Sequence, residues 1–588
     1  MKKATKKLSG ISGSSQVVMG AAFVYLEKAV PEIPRRRVGA AEVEGELARF
    51  VAACGQAAAE VQALRERAAA EMGKEQADIF TAHLMMIEDE DIQGQITARL
   101  KETRENIEWV VYDTARQMAD KMLSSPDPAF RERAADISDV ANRVLGRLLS
   151  ISAVSLADID REVILVAHDL LPSQMLALNR ACVKGIVLDC GSLTSHTAIL
   201  ARAFDIPAVL GLARATVEIS SGDMLILNAK PGEVIINPGQ PDVDKLARAQ
   251  TAYRKTLKEN LQTRELTAQT KDGCIVSLKA NIEIPEEAEA ALRFGAEGIG
   301  LYRSEFLFLN PGEAADEERQ LRAYSQVLEA MKGLPVTIRT VDVGGDKILP
   351  GFQAAAEPNP LLGWRGIRFS ISTPDFFKTQ LRAILRASVN GNARIMFPLV
   401  SGVEELDAAL GLLNEAKAEC RTKRQPFAEN IETGIMIEVP SAAMTADILA
   451  QKADFFSIGT NDLIQYSLAV DRGNEKVGYL AQPTHPAIVR FIKASIDAAH
   501  GRGIKAAMCG EMAGDSGITA LLVGLGLDEF SMTASSIPLV KRIIRSVNAG
   551  ACRELAQNVL KGISVAANNA VLKAWMAENF KENQADFS

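Results

Sequence analysis

Histidine is scarce in this chain: among 588 residues there are five. A metal centre or proton relay built from imidazoles has little to draw on, so each histidine must be weighed alone. Cysteine is nearly as thin. The seven are scattered, with no CxxC pair and an odd total, which argues against a disulfide framework and for a reducing cytosol. No run of eighteen consecutive apolar residues occurs, so no membrane-spanning helix is expected. The basic start, MKKATKKLSG, is not followed by the continuous apolar segment of a signal peptide and reads as a solvated tail. Positive charge is not in excess either. The net charge of −8 and a pI near 5.5 give no support for a nucleic-acid partner.

The length implies several domains. Residues 9–25 are β-rich, with short apolar runs separated by Gly and Ser. From about 40 to 150 the period becomes helical. Val43, Leu47, Phe50, Val51, Cys54, Ala58, Val61 and Leu64 recur at three- and four-residue spacing, and similar stripes cover 76–103, 107–124 and 129–150. Four helices are predicted. β-rich runs return at 162–167, 183–190, 207–211, 223–229 and 233–238. The simplest reading is one α/β domain, 1–28 plus 151–238, with a helical block, 29–150, inserted in it. A polar, charged connecting helix is expected over 239–268.

The second half alternates. Strand-like runs lie at Cys274–Ile282, Gly298–Arg303, Val336–Asp342, Arg394–Leu399, Gly434–Val439, Phe455–Gly459, Lys505–Cys509 and Asp528–Met532, most of them separated by helical periodicity. Eight such units predict a (β/α)8 barrel over 269–573, with a tail at 574–588; a doubly wound sheet is the alternative. Barrel chemistry sits at the strands' C-terminal ends, and those ends carry Arg303, Arg339, Asp342, Glu438, Asn461, Asp462 and Cys509. Arg303, Arg339, Arg365 and Arg472 suit a small, highly charged anion, though each could instead hold a nearby acid. Glu438 and Asp462 suit Mg2+ sharing a phosphate, and the ligand types do not distinguish Mn2+. Cys509 is a small hydrophobe or a proton donor.

The stretch CGSLTSHTAIL (190–200) sets His196 at a helix start, after hydroxyls that can cap it. There the free N–H groups and helix dipole favour an anion and a neutral, nucleophilic imidazole. Packed core residue, metal ligand and nucleophile all remain open on the bare motif. Zinc is the least expected of them, because Cys190 is a lone candidate with no second His or Cys at ligand spacing.

The motifs GAEGIGLYRSEFLF, RTVDVGGDK, NPLLGWRGIR, FFSIGTNDLIQYSLAVDRGN, MCGEMAGD and GLDEFSM resemble enzyme I of the bacterial phosphoenolpyruvate:sugar phosphotransferase system, and the resemblance runs over essentially the whole chain. It implies a swivelling phosphohistidine α/β domain, an all-α insert that binds the carrier protein HPr, and a phosphoenolpyruvate-binding barrel. By resemblance, Arg303, Arg339, Arg472, Asn461 and Asp462 hold phosphoenolpyruvate, with Arg365 adding charge. Glu438 and Asp462 hold Mg2+. Cys509 protonates the enolate carbon, and His196 carries the phosphoryl group on to HPr. His83, Leu84, Met85, Met86, Glu88 and Arg133 correspond to HPr contacts. A cytoplasmic homodimer joined through the barrel is implied as well. Departures cluster in the N-terminal half: Ser192 and Leu193 before His196, Met175 where the family has a hydroxyl, and Lys74 where it has an acid. They leave a phosphoenolpyruvate-sensing protein with a reduced or lost sugar relay as the alternative. Dikinase relatives need an ATP-binding domain that this sequence does not offer.

Overall fold

The structure, a computed structural model, describes residues 5–12, 17–25, 33, 35–72, 74–123, 137, 140–149, 156, 159–170, 174–175, 178–179, 181–190, 197, 201, 206–229, 232–244, 246, 263–308, 316–344, 357, 359–471, 474 and 476–580. His196, Arg472 and Arg133 lie outside them, as do Ser192 and Leu193 and most of the expected connecting helix. The chain divides into two compact units, Met1–Thr251 and Ala252–Ser588.

In the first unit, eight strands form one sheet: β1 (Lys6–Ser9), β2 (Ile11–Ser12), β3 (Val17–Tyr25), β4 (Val163–Ala167), β5 (Val183–Leu188), β6 (Ala208–Leu210), β7 (Met224–Asn228) and β8 (Glu233–Ile236). Their order is β1-β8-β7-β3-β4-β5-β6-β2. Strands β3 and β4 pair in parallel, from Ala21↔Val163 to Tyr25↔Ala167, so the helical segment between them is an excursion from a continuous sheet. Every residue of β4 is buried. Val163, Leu165 and Ala167 enter one core with Ile186 and Leu188; Ile164 and Val166 enter another with Val187 and Val209. A strand covered on both faces reads as an unbroken apolar run, and EVILVA does.

The helical excursion contains α1 (Val43–Met72), α2 (Lys74–Glu88), α3 (Glu90–Thr103) and α4 (Ile107–Leu123), followed by helical residues 140–148. The expected single stripe over 76–103 is two helices. Asp89 ends it by adopting extended backbone, and its carboxylate accepts from the Asp91 and Ile92 amides, an N-cap that restarts the helix. In α1, Phe50, Cys54 and Val61 are buried, whereas Val51, expected in the stripe, is 64% exposed. The buried line steps 50, 54, 57, 61, and position 51 lies about 100° round from Phe50.

The second unit holds the barrel: β9 (Ser277–Ile282), β10 (Ile299–Arg303), β11 (Val336–Arg339), β12 (Ala393–Phe397), β13 (Glu432–Ile437), β14 (Phe455–Ile458), β15 (Lys505–Met508) and β16 (Glu529–Met532). All neighbours are parallel and β16 closes on β9, which rules out the doubly wound sheet. Leu301, Met396, Met436, Phe455 and Cys509 form a cluster of their own, apart from the large core. Nearer the strand starts, Lys279 is ion-paired with Glu529 inside the barrel. Two expected boundaries shift. Residues 263–266 turn rather than continue a helix, and Ala268 is already in the barrel core. At the other end the last helix runs Val565–Asn579, and Phe580 is buried against Trp575. Apolar contacts there continue well past residue 574.

Candidate active site

Parallel strands in a closed barrel point their last residues at one mouth, and five of the eight deliver polar groups to it. Arg303 ends β10 and Arg339 ends β11. Glu438 follows β13 directly. Asn461 and Asp462 open the helix Thr460–Leu468 after β14. Cys509 follows β15. Arg365 reaches the same group through a backbone bridge between Gly344 and Arg365.

Charge pairing organises these side chains. Arg303 donates through Nη1 to Glu283 Oε1 at 2.6 Å. Arg339 is buried, paired with Glu305 and, at 3.0 Å, with Asp342. Arg365 lies 3.2 Å from Asp342 Oδ1 and 3.1 Å from Asp462 Oδ2, and its Nη1 donates to the Tyr466 hydroxyl at 2.9 Å. Burial opposes the charge on Arg339, but the neighbouring Glu305, Asp342 and Glu438 outweigh it and hold the guanidinium above the usual arginine range. Asp342 and Asp462 do the same for Arg365, again against burial. The reading of each arginine as an acid's partner thus holds in this state for the three described. One donor is left over: Arg339 Nε is buried with no hydrogen-bond partner among the described residues.

Among the described residues the acids outnumber the arginines. Arg303, Arg339 and Arg365 face Glu283, Glu305, Asp342, Glu438 and Asp462. Glu438 bears the consequence: burial, reinforced by the charges of Asp462 and Asp342, pushes its carboxyl up to about 8. One oxygen accepts from the Leu399 amide at 2.7 Å. The other faces Gly459, where any Cβ would come within 2.8 Å of it. An excess of carboxylate around oxygen donors fits a divalent cation. No group of three or more His, Cys, Asp or Glu among the described residues could hold a metal alone. Glu438 and Asp462, as oxygen donors, fit a hard cation that takes its other ligands from substrate and water, the usual habit of Mg2+.

Asn461 is held by a reciprocal pair of hydrogen bonds with Glu511. Its Nδ2 donates to Glu511 Oε1 at 3.0 Å, and its Oδ1 accepts from the Glu511 amide at 3.2 Å. Cys509 is buried, and burial pushes its thiol up, so it stays protonated. The next residue must be glycine, since a Cβ at Gly510 would lie 1.9 Å from Thr460 Oγ1. Sequence reasoning passed over Glu305 and Glu283. A lone acid inside the apolar run of RSEFLFL, two residues after Arg303, was the available signal for Glu305.

In the first unit, Thr197 and Ala201 are buried, and the Thr197 hydroxyl donates to the Leu170 carbonyl at 2.8 Å. Met175 is fully buried in a core with Leu170, Leu178 and Ala201, a packing role for the departure at that position. On α2, Met85 is 70% exposed and Glu88 is exposed. His83 and Leu84, expected as surface contacts, are buried instead, His83 edge-on to Phe80. Helical geometry turns 83, 84 and 87 inward with Phe80, leaving 85 and 88 outside.

Three family models match the chain: PEP-utilising enzyme, N-terminal, over 9–133; the mobile domain over 159–232; and the PEP-binding domain over 257–549. The phosphoenolpyruvate-protein phosphotransferase of Haemophilus influenzae is 41% identical over 572 residues, covering 97% of this chain and 99% of that protein. The chain belongs to the phosphoenolpyruvate-protein phosphotransferase family. A second phosphoenolpyruvate-protein phosphotransferase, from a Bacillus species, is 44% identical over 90% of this chain and 92% of its own. A solved structure titled as Enzyme I covers 42% of this chain and 99% of its own at 35% identity, with a TM-score of 0.39. Within this phosphotransferase family match, His196 falls in the mobile-domain segment and every barrel-mouth residue in the PEP-binding segment. No described helix is long and apolar enough to cross a membrane.

Proposed function

We propose that this member of the phosphotransferase family takes the phosphoryl group of phosphoenolpyruvate onto His196 and passes it to a histidine of HPr, releasing pyruvate. The observation that carries the reading is the barrel mouth: buried Arg339 with a free Nε, Arg365, the Glu438–Asp462 pair and a protonated Cys509, all at strand ends. Arg303, Arg339, Arg365 and Arg472 receive the substrate's phosphate and carboxylate, exchanging acid partners for substrate oxygens. Asn461, fixed by Glu511, adds a neutral donor. Mg2+, or Mn2+, held by Glu438 and Asp462 would neutralise charge on the transferring phosphoryl group.

In the transfer, the ester P–O bond breaks and a P–N bond to the His196 imidazole forms. The departing enolate takes a proton at carbon from the Cys509 thiol, giving pyruvate, and solvent returns the proton to sulfur. The domain assignment follows: 1–28 with 151–238 carries the phosphohistidine, 29–150 docks HPr through Met85, Glu88 and Arg133, and the barrel binds substrate. His83 and Leu84 support that surface from within. Exposed Met444 and Tyr479 on the barrel unit are apolar area suited to a homodimer. Seven free cysteines suit a reducing cytoplasm.

The relay is tested by charging the protein with labelled phosphoenolpyruvate and Mg2+, then adding HPr. Label moves to HPr within the mixing time of a manual assay; label that stays on the protein supports a sensor and overturns the relay. Cys509→Ala is expected to slow pyruvate release about 10²–10⁴-fold, the range of general-acid catalysis, while phosphoenolpyruvate binding measured by calorimetry stays within a few-fold. Unchanged turnover removes the acid role.

A further inference from the structure

Strands β4 and β5 end side by side, and the residues just beyond them meet. The Cys190 amide donates to the His168 carbonyl at 2.9 Å. Cys190 Sγ lies 3.4 Å from His168 Nε2, and His168 Nδ1 lies 3.4 Å from Asp189 Oδ2. Asp189 is itself buried and fixed, accepting from the Ala215 amide and from the Thr216 amide and hydroxyl. Both Cys190 and His168 are exposed. Nothing in the phosphoryl-transfer reading uses either of them.

The geometry points to a binding site for a divalent cation of borderline softness, with zinc as its representative, ligated by Cys190 Sγ and His168 Nε2. A tetrahedral zinc with ordinary Zn–S and Zn–N bonds separates its sulfur and nitrogen ligands by about 3.6 Å, close to the spacing already present. Asp189 Oδ2 is placed to accept a proton from Nδ1, and in that tautomer the Nε2 lone pair faces the thiol, with the carboxylate–histidine support that metal-bound imidazoles use. The neighbouring carboxylates of Asp169 and Asp189 favour a cation at the pair. Two side-chain donors are supplied, and no third acid, histidine or cysteine completes a metal-holding group among the described residues. Water fills the remaining positions. Mg2+ does not compete, because it prefers oxygen ligands.

The test uses the full chain, reduced, titrated with Zn2+ against a chromogenic indicator and separately with Co2+. Wild type is expected to bind Zn2+ and to show a thiolate-to-cobalt charge-transfer band. Cys190→Ser loses the band, and Cys190→Ser and His168→Ala each weaken Zn2+ binding at least about tenfold. Cys274→Ser, which removes an exposed cysteine of the other unit, leaves both readouts unchanged. Far-UV circular dichroism checks that each variant is folded. A wild-type protein without the thiolate–cobalt band, or Cys190→Ser with wild-type Zn2+ affinity, overturns the proposal.

Discussion

His196→Ala is expected to reduce acid-labile, base-stable labelling by phosphoenolpyruvate to background. The effect is total because the reaction needs a covalent P–N bond, and removing the imidazole removes the atom that forms it. The neighbouring chain is held in place by its own contacts: the Thr197 hydroxyl binds the Leu170 carbonyl, and Ala201 is buried against the same core. The substitution is therefore expected to leave the melting temperature within a few degrees. Phosphoenolpyruvate affinity stays as well, since the substrate groups are on the barrel unit. Exposed His168 serves as an internal control, because a histidine without that position should not accept label. Label retained in His196→Ala would sink the phosphohistidine assignment, and label lost together with substrate binding would show that the variant had misfolded.

Substitution of Arg339 is expected to damage both catalysis and folding. Its guanidinium is buried between Glu305 and Asp342, so Arg339→Met leaves buried Glu305 without its counter-charge and Asp342 with Arg365 alone, at a cost of about 3–5 kcal/mol. Loss of one charge-stabilising donor at a reacting phosphate also costs about 10²–10³ in turnover. Arg339→Lys separates the two effects. A lysine restores the charge and most of the melting temperature, but it offers a point charge in place of a planar fork, so kcat/KM should remain at least about tenfold low. Thermal melts and a pyruvate-coupled assay read the two quantities. Full kcat/KM in Arg339→Lys would remove the fork from the mechanism.

The eight barrel strands were legible because each contains a short apolar run, several of them closed or followed directly by a polar residue, a pattern set by neighbours a few positions away. The unbroken run EVILVA announced a doubly covered strand for the same reason. Helix limits were less legible: one stripe over 76–103 hides a break at Asp89, because a cap interrupts the backbone without disturbing the spacing of apolar residues. Val51 and His83 show a related limit, since the width of a buried stripe depends on what packs against it.

Ion pairing was not legible at all in its partners. Arg365 and Asp462 are 97 positions apart, and Arg339 and Glu305 are 34 apart. Residue type and local spacing named Arg339, Arg365, Glu438 and Asp462, which the fold brings together, but not Glu283 or Glu305, and identified His196 and Cys509 as the residues to question. Strand closure chose which acid faces which arginine, left Arg339 Nε unpaired, and crowded Glu438 with other carboxylates. The physical reason is range. Periodicity and capping act within a turn or two of chain, whereas charge balance in a buried site depends on distances that arise when β16 meets β9.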